Sequence, residues 1–209
     1  MANDPYAAAP VLPESDAIDP RQVLGSEGRP VEVEIGSGRG QFIVERLEAN
    51  AEVFMLGLEV RRKWAFIVDE RLREKGLGAR GRVFSDDARS VLRKMTAGSV
   101  ERVFVHFPDP WWKKRHQKRR VVTPELFHDV ARVLVPEGHF FLQTDVLHRA
   151  EEFEQMALTE PRLVPLGETV GDRRTARLRE NPYGAMSLRE RHATRDGLPI
   201  ARILYGRTA

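Results

Sequence analysis

Val31-Glu32-Val33-Glu34-Ile35-Gly36-Ser37-Gly38-Arg39-Gly40-Gln41 is the stretch on which the fold turns. Val31 to Ile35 reads as extended and Gln41 to Glu48 as helical, so a glycine-rich loop joins a strand to a helix. Glycine there lets a ligand approach the backbone where the helix begins. The same rhythm repeats downstream. Val53 to Val60 reads as extended, Arg62 to Lys75 as helical, Arg82 to Ser85 as extended and Ala88 to Met95 as helical. Val100 to Phe107 is an apolar, β-branched strand of the kind that a parallel sheet covers on both faces. Thr123 as N-cap and Pro124 in the first turn open a helix whose Leu126, Phe127, Val130, Val133 and Leu134 share a face, and Pro136 and Gly138 stop it. His139 to Thr144 is then a fifth strand, Ala150 to Leu158 a helix, and Leu163 to Leu166 and Ile200 to Tyr205 are late strands. Five βα steps followed by a late strand pair predict an α/β fold with a doubly wound, mostly parallel sheet.

With 209 residues, 41% of them hydrophobic, the chain has material for one sizeable core. Residues 1–29 are rich in Ala, Pro, Asp and Gly without periodicity and read as a flexible N-terminal arm, leaving 30–209 as a single domain. There is no cysteine, which excludes disulfides, thiolate zinc sites and every reaction that starts from a covalent thiolate. No apolar run approaches the roughly 18–20 residues of a membrane span and no signal-peptide layout opens the chain, so the expectation is a cytoplasmic protein with no membrane partner. Six histidines fall at no metal-ligand spacing, and no metal is expected. His106, at a strand end, reads as a packed residue. The net charge is only +3, but Lys113, Lys114, Arg115, Lys118, Arg119 and Arg120 crowd one short segment, the footprint of a polyanion-binding face.

The glycine loop lacks the third glycine of a G-x-G-x-x-G fingerprint, because Gln41 stands there, and no Gly-Lys-Ser/Thr follows to make a P-loop. A loop led by Glu34 suits a cationic ligand and not a polyphosphate. Glu59 ends the second strand 23 residues beyond Gly36, where an acid can accept both hydroxyls of a ribose. Asp86-Asp87 at the third strand end offers an acid for an adenine amino group; the spacing does not choose between the two, and Asp87 reads equally well as a helix N-cap. Asp109 stands between two prolines at the carboxyl end of the central strand, where open α/β sheets place their ligand crevice. Its carboxylate can accept N1–H and the exocyclic amine of guanine, leaving the N7 edge free. Trp111 and Trp112 offer a stacking surface for a base or cover for the core.

The E-x-G-x-G-x-G loop resembles motif I of class I methyltransferases. The stretch from Phe107 to Arg120 resembles the F-P-D-P-W-x-K-x-R-H-x-K-R-R signature of bacterial tRNA (guanine-N7-)-methyltransferases, and the likeness runs from about Val33 to Arg207. It implies a Rossmann-like sheet of the class I type with a late antiparallel strand, S-adenosylmethionine as methyl donor, and N7 of a guanine in tRNA, the variable-loop one, as acceptor. It further implies cofactor contact by Glu34, Gly36, Gly38, Glu59, Asp87 and Asp109, with Asp109 also catalytic by holding the base. Substrate contact is implied for Lys113, Asp145, Ser187 and Glu190, and RNA contact for Arg115, His116, Lys118, Arg119 and Arg120. Ser187-Leu188-Arg189-Glu190 departs from the family's Thr-Lys-Phe-Glu at its middle pair, and Ser37 and Arg39 stand where an aromatic and an Asn are commoner. Two other readings compete: a methyltransferase acting on an exocyclic amine, and an RNA-binding module that has lost catalysis, against which the intact Glu34, Gly36, Gly38 and Glu59 argue.

Overall fold

The computed structural model describes residues 4–109 and 120–209. Val31–Ile35, buried at every position, forms β1, from which the sheet is built outward. It pairs in parallel with β2 (Phe54–Leu58) on one side and β4 (Val100–His106) on the other. β3 (Gly81–Phe84) continues beyond β2, and β5 (Leu134–Thr144) beyond β4, again in parallel. One antiparallel strand, β10 (Ala201–Arg207), then enters between β5 and the short β6 (Leu163–Pro165), giving the order β3-β2-β1-β4-β5-β10-β6. β9 (Arg177–Leu178) also pairs with β10, while β7 (Thr169–Val170) and β8 (Arg173–Arg174) form a separate hairpin.

Alternate residues of each strand face opposite sides of the sheet, and both sides are covered. On one side α2 (Gln41–Ala49) and α3 (Arg62–Glu74) pack Phe42, Ile43, Leu47, Val68 and Leu72 against Met55 and Phe104. On the other, α4 (Ala88–Lys94), α5 (Pro124–Val133) and α6 (Leu147–Ala157) bring Leu92, Phe127, Val130 and Phe153 onto Val33, Val103 and Phe140. Gly40 locks the loop to the first layer. Its φ is +72°, and a Cβ there would lie 2.2 Å from Val68 Cγ1 on α3, so the loop rests directly on that helix.

Four local differences from the sequence expectation have physical causes. Residues 4–29 do not trail as an arm. α1 (Pro20–Leu24), capped by Asp19, and the buried Leu12, Ile18 and Leu24 join the core, and Ile18 bridges to Met95. β5 starts at Leu134, directly after α5, and absorbs Pro136 and Gly138 in an irregular stretch where its register against β4 shifts and Glu137 takes φ +63°. α6 starts at Leu147, earlier than its apolar spacing suggested: Leu147 is half exposed and lies off the buried stripe, and Val146 makes no side-chain cap to mark the start. α7 (Leu188–Arg195) is a short polar helix that periodicity does not announce. Among the described residues no helix is long and apolar enough to cross a membrane, and no cluster of three acids or histidines is placed to hold a metal.

Candidate cofactor and acceptor cleft

The sheet order reverses between β1 and β4, and at such a switch point the loops leaving the two strands splay apart to open a crevice. Two adjoining cavities lie there, of about 580 and 530 Å³, each within the usual range for a small-ligand site. The first is walled by Gly36, Glu59, Val60, Asp86 and Asp87 at the tips of β1, β2 and β3. The second is walled by the glycine loop together with Asp145, Ser187 and Arg189. They share Gly36, Arg61 and the segment from His106 to Asp109, so the tip of β4 is the wall between the two.

That tip turns sharply. Phe107 adopts φ +49°, an uncommon conformation for an aromatic residue, and is pinned by its N–H donating to the Gln143 carbonyl at 2.8 Å. The reversal leaves Asp109 exposed at the rim of both cavities. Glu59, 3% exposed, spans the first cavity's floor. One carboxylate oxygen accepts from Gly38 N at 2.9 Å, and the other accepts from Arg61 N at 2.9 Å and Arg61 Nε at 3.1 Å. The acid thus ties the glycine loop to the end of β2 as well as pairing with its neighbour.

Glu34 is 2% exposed beneath the loop, and its Oε2 has no hydrogen-bond partner. Burial pushes its carboxyl up to about 8. The Ser37 hydroxyl draws it part of the way back without reaching hydrogen-bonding geometry, and the charge of Glu59 adds to the rise. A buried carboxyl with an unsatisfied oxygen on the cleft wall is chemically incomplete, and a cation completes it. Beside it Gly36 has φ +75°, and a Cβ there would meet nothing within 4 Å, so the backbone faces open cleft. These features fit a ligand with an ammonium or sulfonium at one end and a nucleoside at the other.

Both candidate aspartates of β3 already hold protein groups. Asp87 caps α4 by accepting from Arg89 N at 3.0 Å, and the Arg89 guanidinium holds its carboxyl below the usual range. Asp86 Oδ2 accepts from Leu12 N at 2.8 Å, fastening the N-terminal segment to the cavity wall. In the second cavity, Asp145 pairs with Arg189 of α7. Ser187 caps that helix by accepting from Glu190 N at 3.1 Å. Glu190 is fully buried, is not on the cleft wall, and takes bonds from Gln143, Asn181 and Arg202. Ser187 and Asp145 therefore face the cleft, whereas Glu190 braces the wall behind it. Lys113, Arg115, His116, Lys118 and Arg119, with Trp111 and Trp112, lie outside the described residues; Arg120, next in the chain, is half-buried. Sequence reasoning missed Gln143, Asn181 and Arg202, whose roles exist only through tertiary contacts.

A family described as "Putative methyltransferase" matches residues 28–202 of this chain. The protein named tRNA (guanine-N(7)-)-methyltransferase in Synechococcus elongatus is 37% identical over 192 residues, covering 90% of this chain and 86% of that protein. Its namesake in Rhodopirellula baltica is 33% identical over 192 residues, covering 88% and 68%. Among solved structures, an antibiotic-related methyltransferase superposes with a TM-score of 0.61 at 15% identity, covering 96% of this chain and 98% of that one. A geranyl diphosphate C-methyltransferase of Streptomyces coelicolor, solved with S-adenosyl-L-homocysteine, superposes with a TM-score of 0.55 at 17% identity, covering 90% and 74%. These likenesses show the fold to be the Rossmann-like class I methyltransferase sheet with its late antiparallel strand.

Proposed function

The chain belongs to the tRNA (guanine-N7-)-methyltransferase family, and on that footing we propose that it transfers a methyl group from S-adenosylmethionine to N7 of the variable-loop guanine of tRNA. The observation that carries the reading is the buried, unsatisfied Glu34 oxygen behind the glycine loop, with Glu59 held at the tip of the neighbouring strand. S-adenosylmethionine, when bound, supplies an electrophilic methyl on a sulfonium. Glu59 offers its carboxylate to the ribose hydroxyls, Glu34 faces the cationic end, and Gly36 and Gly38 allow the close approach. Asp86 or Asp87 receives the adenine amine.

Guanine N7 carries a free lone pair, so no residue has to remove a proton before attack. What the chain contributes is alignment, worth up to roughly 7–11 kcal/mol when a bimolecular step becomes intramolecular. Asp109 accepts from the guanine N–H groups and offsets charge developing on the purine. Asp145, Ser187 and Lys113 hold the base and its ribose, and Arg115, His116, Lys118, Arg119 and Arg120 grip phosphates. Glu190 contributes from behind the wall.

Purified protein, unmodified tRNA and S-adenosylmethionine test the reading. The product should contain 7-methylguanosine, mapped to the variable loop by nuclease digestion and mass spectrometry. A methyl on an exocyclic amine, or no transfer despite tight cofactor and tRNA binding, would refute it in favour of one of the two competing readings.

A further inference from the structure

His106 closes the carboxyl end of β4, is 9% exposed, and packs its ring 4.1 Å from that of Phe42, with Phe104 and Phe141 around it. Packing does not account for all of it. Nε2 is buried without a hydrogen-bond partner, in a residue that belongs to the wall common to both halves of the cleft. A buried ring nitrogen left bare costs free energy that a donor entering the cleft recovers.

The other nitrogen is committed. Nδ1 lies 2.8 Å from Gln143 Oε1, and that amide is oriented from behind. Gln143 Nε2 donates to Glu190 Oε1 at 2.7 Å, the oxygen that also receives Arg202 Nε at 3.2 Å and Nη2 at 3.1 Å, while Asn181 Nδ2 donates to Oε2 at 2.9 Å. Every partner of Glu190 is a donor, so Gln143 presents its nitrogen to Glu190 and its oxygen to His106. Nδ1 therefore carries the ring proton, and Nε2 holds a lone pair. Burial lowers the imidazole to about 4, so near neutral pH the ring is uncharged and Nε2 is an acceptor only.

Resting on the guanine-N7 reading, we propose that His106 is a specificity-determining residue whose Nε2 accepts the second N–H of the acceptor guanine's exocyclic amine, the one that Asp109 leaves free, with Glu190 and Gln143 as the positioning residues that fix its tautomer. Guanine carries adjacent donors, N1–H and the exocyclic amine, on the edge opposite N7. Adenine carries only a C–H at C2 and so offers Nε2 no donor there, and a site built around a hydrogen bond rejects the partner that cannot make it. Glu190 thereby acts on the base without touching it.

The test uses the whole protein, with histidine labelled in ¹⁵N, saturated with S-adenosylhomocysteine and titrated with unmodified tRNA. The signal missing from His106→Phe identifies the residue. Nε2 should appear unprotonated before tRNA is added and should shift as tRNA saturates. His106→Phe fills the same ring slot and should lower kcat/KM for tRNA about tenfold or more, with S-adenosylhomocysteine affinity and melting temperature close to wild type. A protonated Nε2 in the tRNA-free protein, or one that does not respond to tRNA, overturns the inference, and His106→Gln supplies the same signal assignment if His106→Phe does not fold. So does a His106→Phe enzyme as efficient as wild type, or one that loses cofactor affinity in step with rate, which would assign Nε2 to the cofactor's ammonium. If wild type itself puts no methyl on N7, the functional reading falls and this inference with it; if wild type does so and only the His106 results fail, this inference alone is lost.

Discussion

Replacing Glu34 by Gln separates what this side chain does to the free protein from what it does for a bound cation, and the two effects have opposite signs. In the folded chain burial is the largest cause of the rise of its carboxyl from 4.5 to about 8. Between those values the unfolded chain has released the proton and the folded chain keeps it, so stability falls as pH rises through the window and levels off above it. At ~1.4 kcal/mol per pH unit, moving from about pH 5.5 to about pH 7.5 removes roughly 2.5 kcal/mol. In a domain of this size that is about 5–10 °C of melting temperature. Glutamine keeps the shape and cannot ionise, so Glu34→Gln lacks this slope. Calorimetric melting of both proteins without cofactor cancels the titrating groups they share. The advantage of Glu34→Gln over wild type should widen by about 5–10 °C between the two pH values. The same variant should bind S-adenosylmethionine more weakly by roughly 1–3 kcal/mol, because an amide cannot supply the charge that an incoming cation draws out of the acid. A gap in melting temperature that stays constant with pH would refute the account of Glu34.

Glu59→Ala removes the acceptor offered to the ribose and the tie to Gly38, and should weaken cofactor binding by roughly 1–3 kcal/mol in isothermal calorimetry; unaltered affinity would take Glu59 out of the site. Alanine at Arg115, Lys118, Arg119 and Arg120 together should weaken tRNA binding and flatten its dependence on salt, since fewer counterions are released, while cofactor affinity survives. Equal salt slopes in filter binding would place the block away from the RNA. Asp109→Asn should lower the single-turnover methylation rate by roughly 10² or more with little change in tRNA affinity, because the phosphate contacts that dominate affinity lie elsewhere. A wild-type rate would make Asp109 a turn residue only.

The parallel half of the sheet was legible because its strands are buried on both faces and leave uncharged, largely apolar runs, as in Phe54–Leu58 and Val103 to Val105. The glycine loop and Glu59 were legible because a close ligand approach and a strand-tip acid impose spacing on the sequence itself. α7 left no such trace. Of its eight residues only Leu188 and Ala193 are apolar, and it is held by Ser187 and by ion pairs from Arg189 and Arg191 to Asp145 and Glu45, both distant in sequence. The three-residue spacing of Ser187 and Glu190 is that of a helix cap, a signal present in the sequence but read there only as substrate contact. Leu12, Ile18 and Leu24 are too far apart for any period, and each anchors its segment alone. Glu34 was named from its motif, but the upward displacement of its carboxyl depends on burial and on Glu59 of the adjoining strand, which no local pattern encodes. The orphan nitrogen of His106 likewise depends on Gln143 and Glu190, distant in the chain.

The antiparallel strand has a consequence for synthesis. β10 meets β5 through partners 57 to 67 residues apart, from Ala201 with Thr144 to Gly206 with His139. On a ribosome adding roughly 5–20 residues per second, β5 emerges and then waits about 3–13 s before its permanent neighbour exists. Over that interval Phe140-Phe141-Leu142 and a row of backbone donors and acceptors stand at an open edge, available to any other nascent strand. The glycine loop and Glu59 are by then already made. A pause in translation between Thr144 and Ala201 would therefore cost yield through aggregation while leaving the chains that do finish with the cleft between β1 and β4 intact.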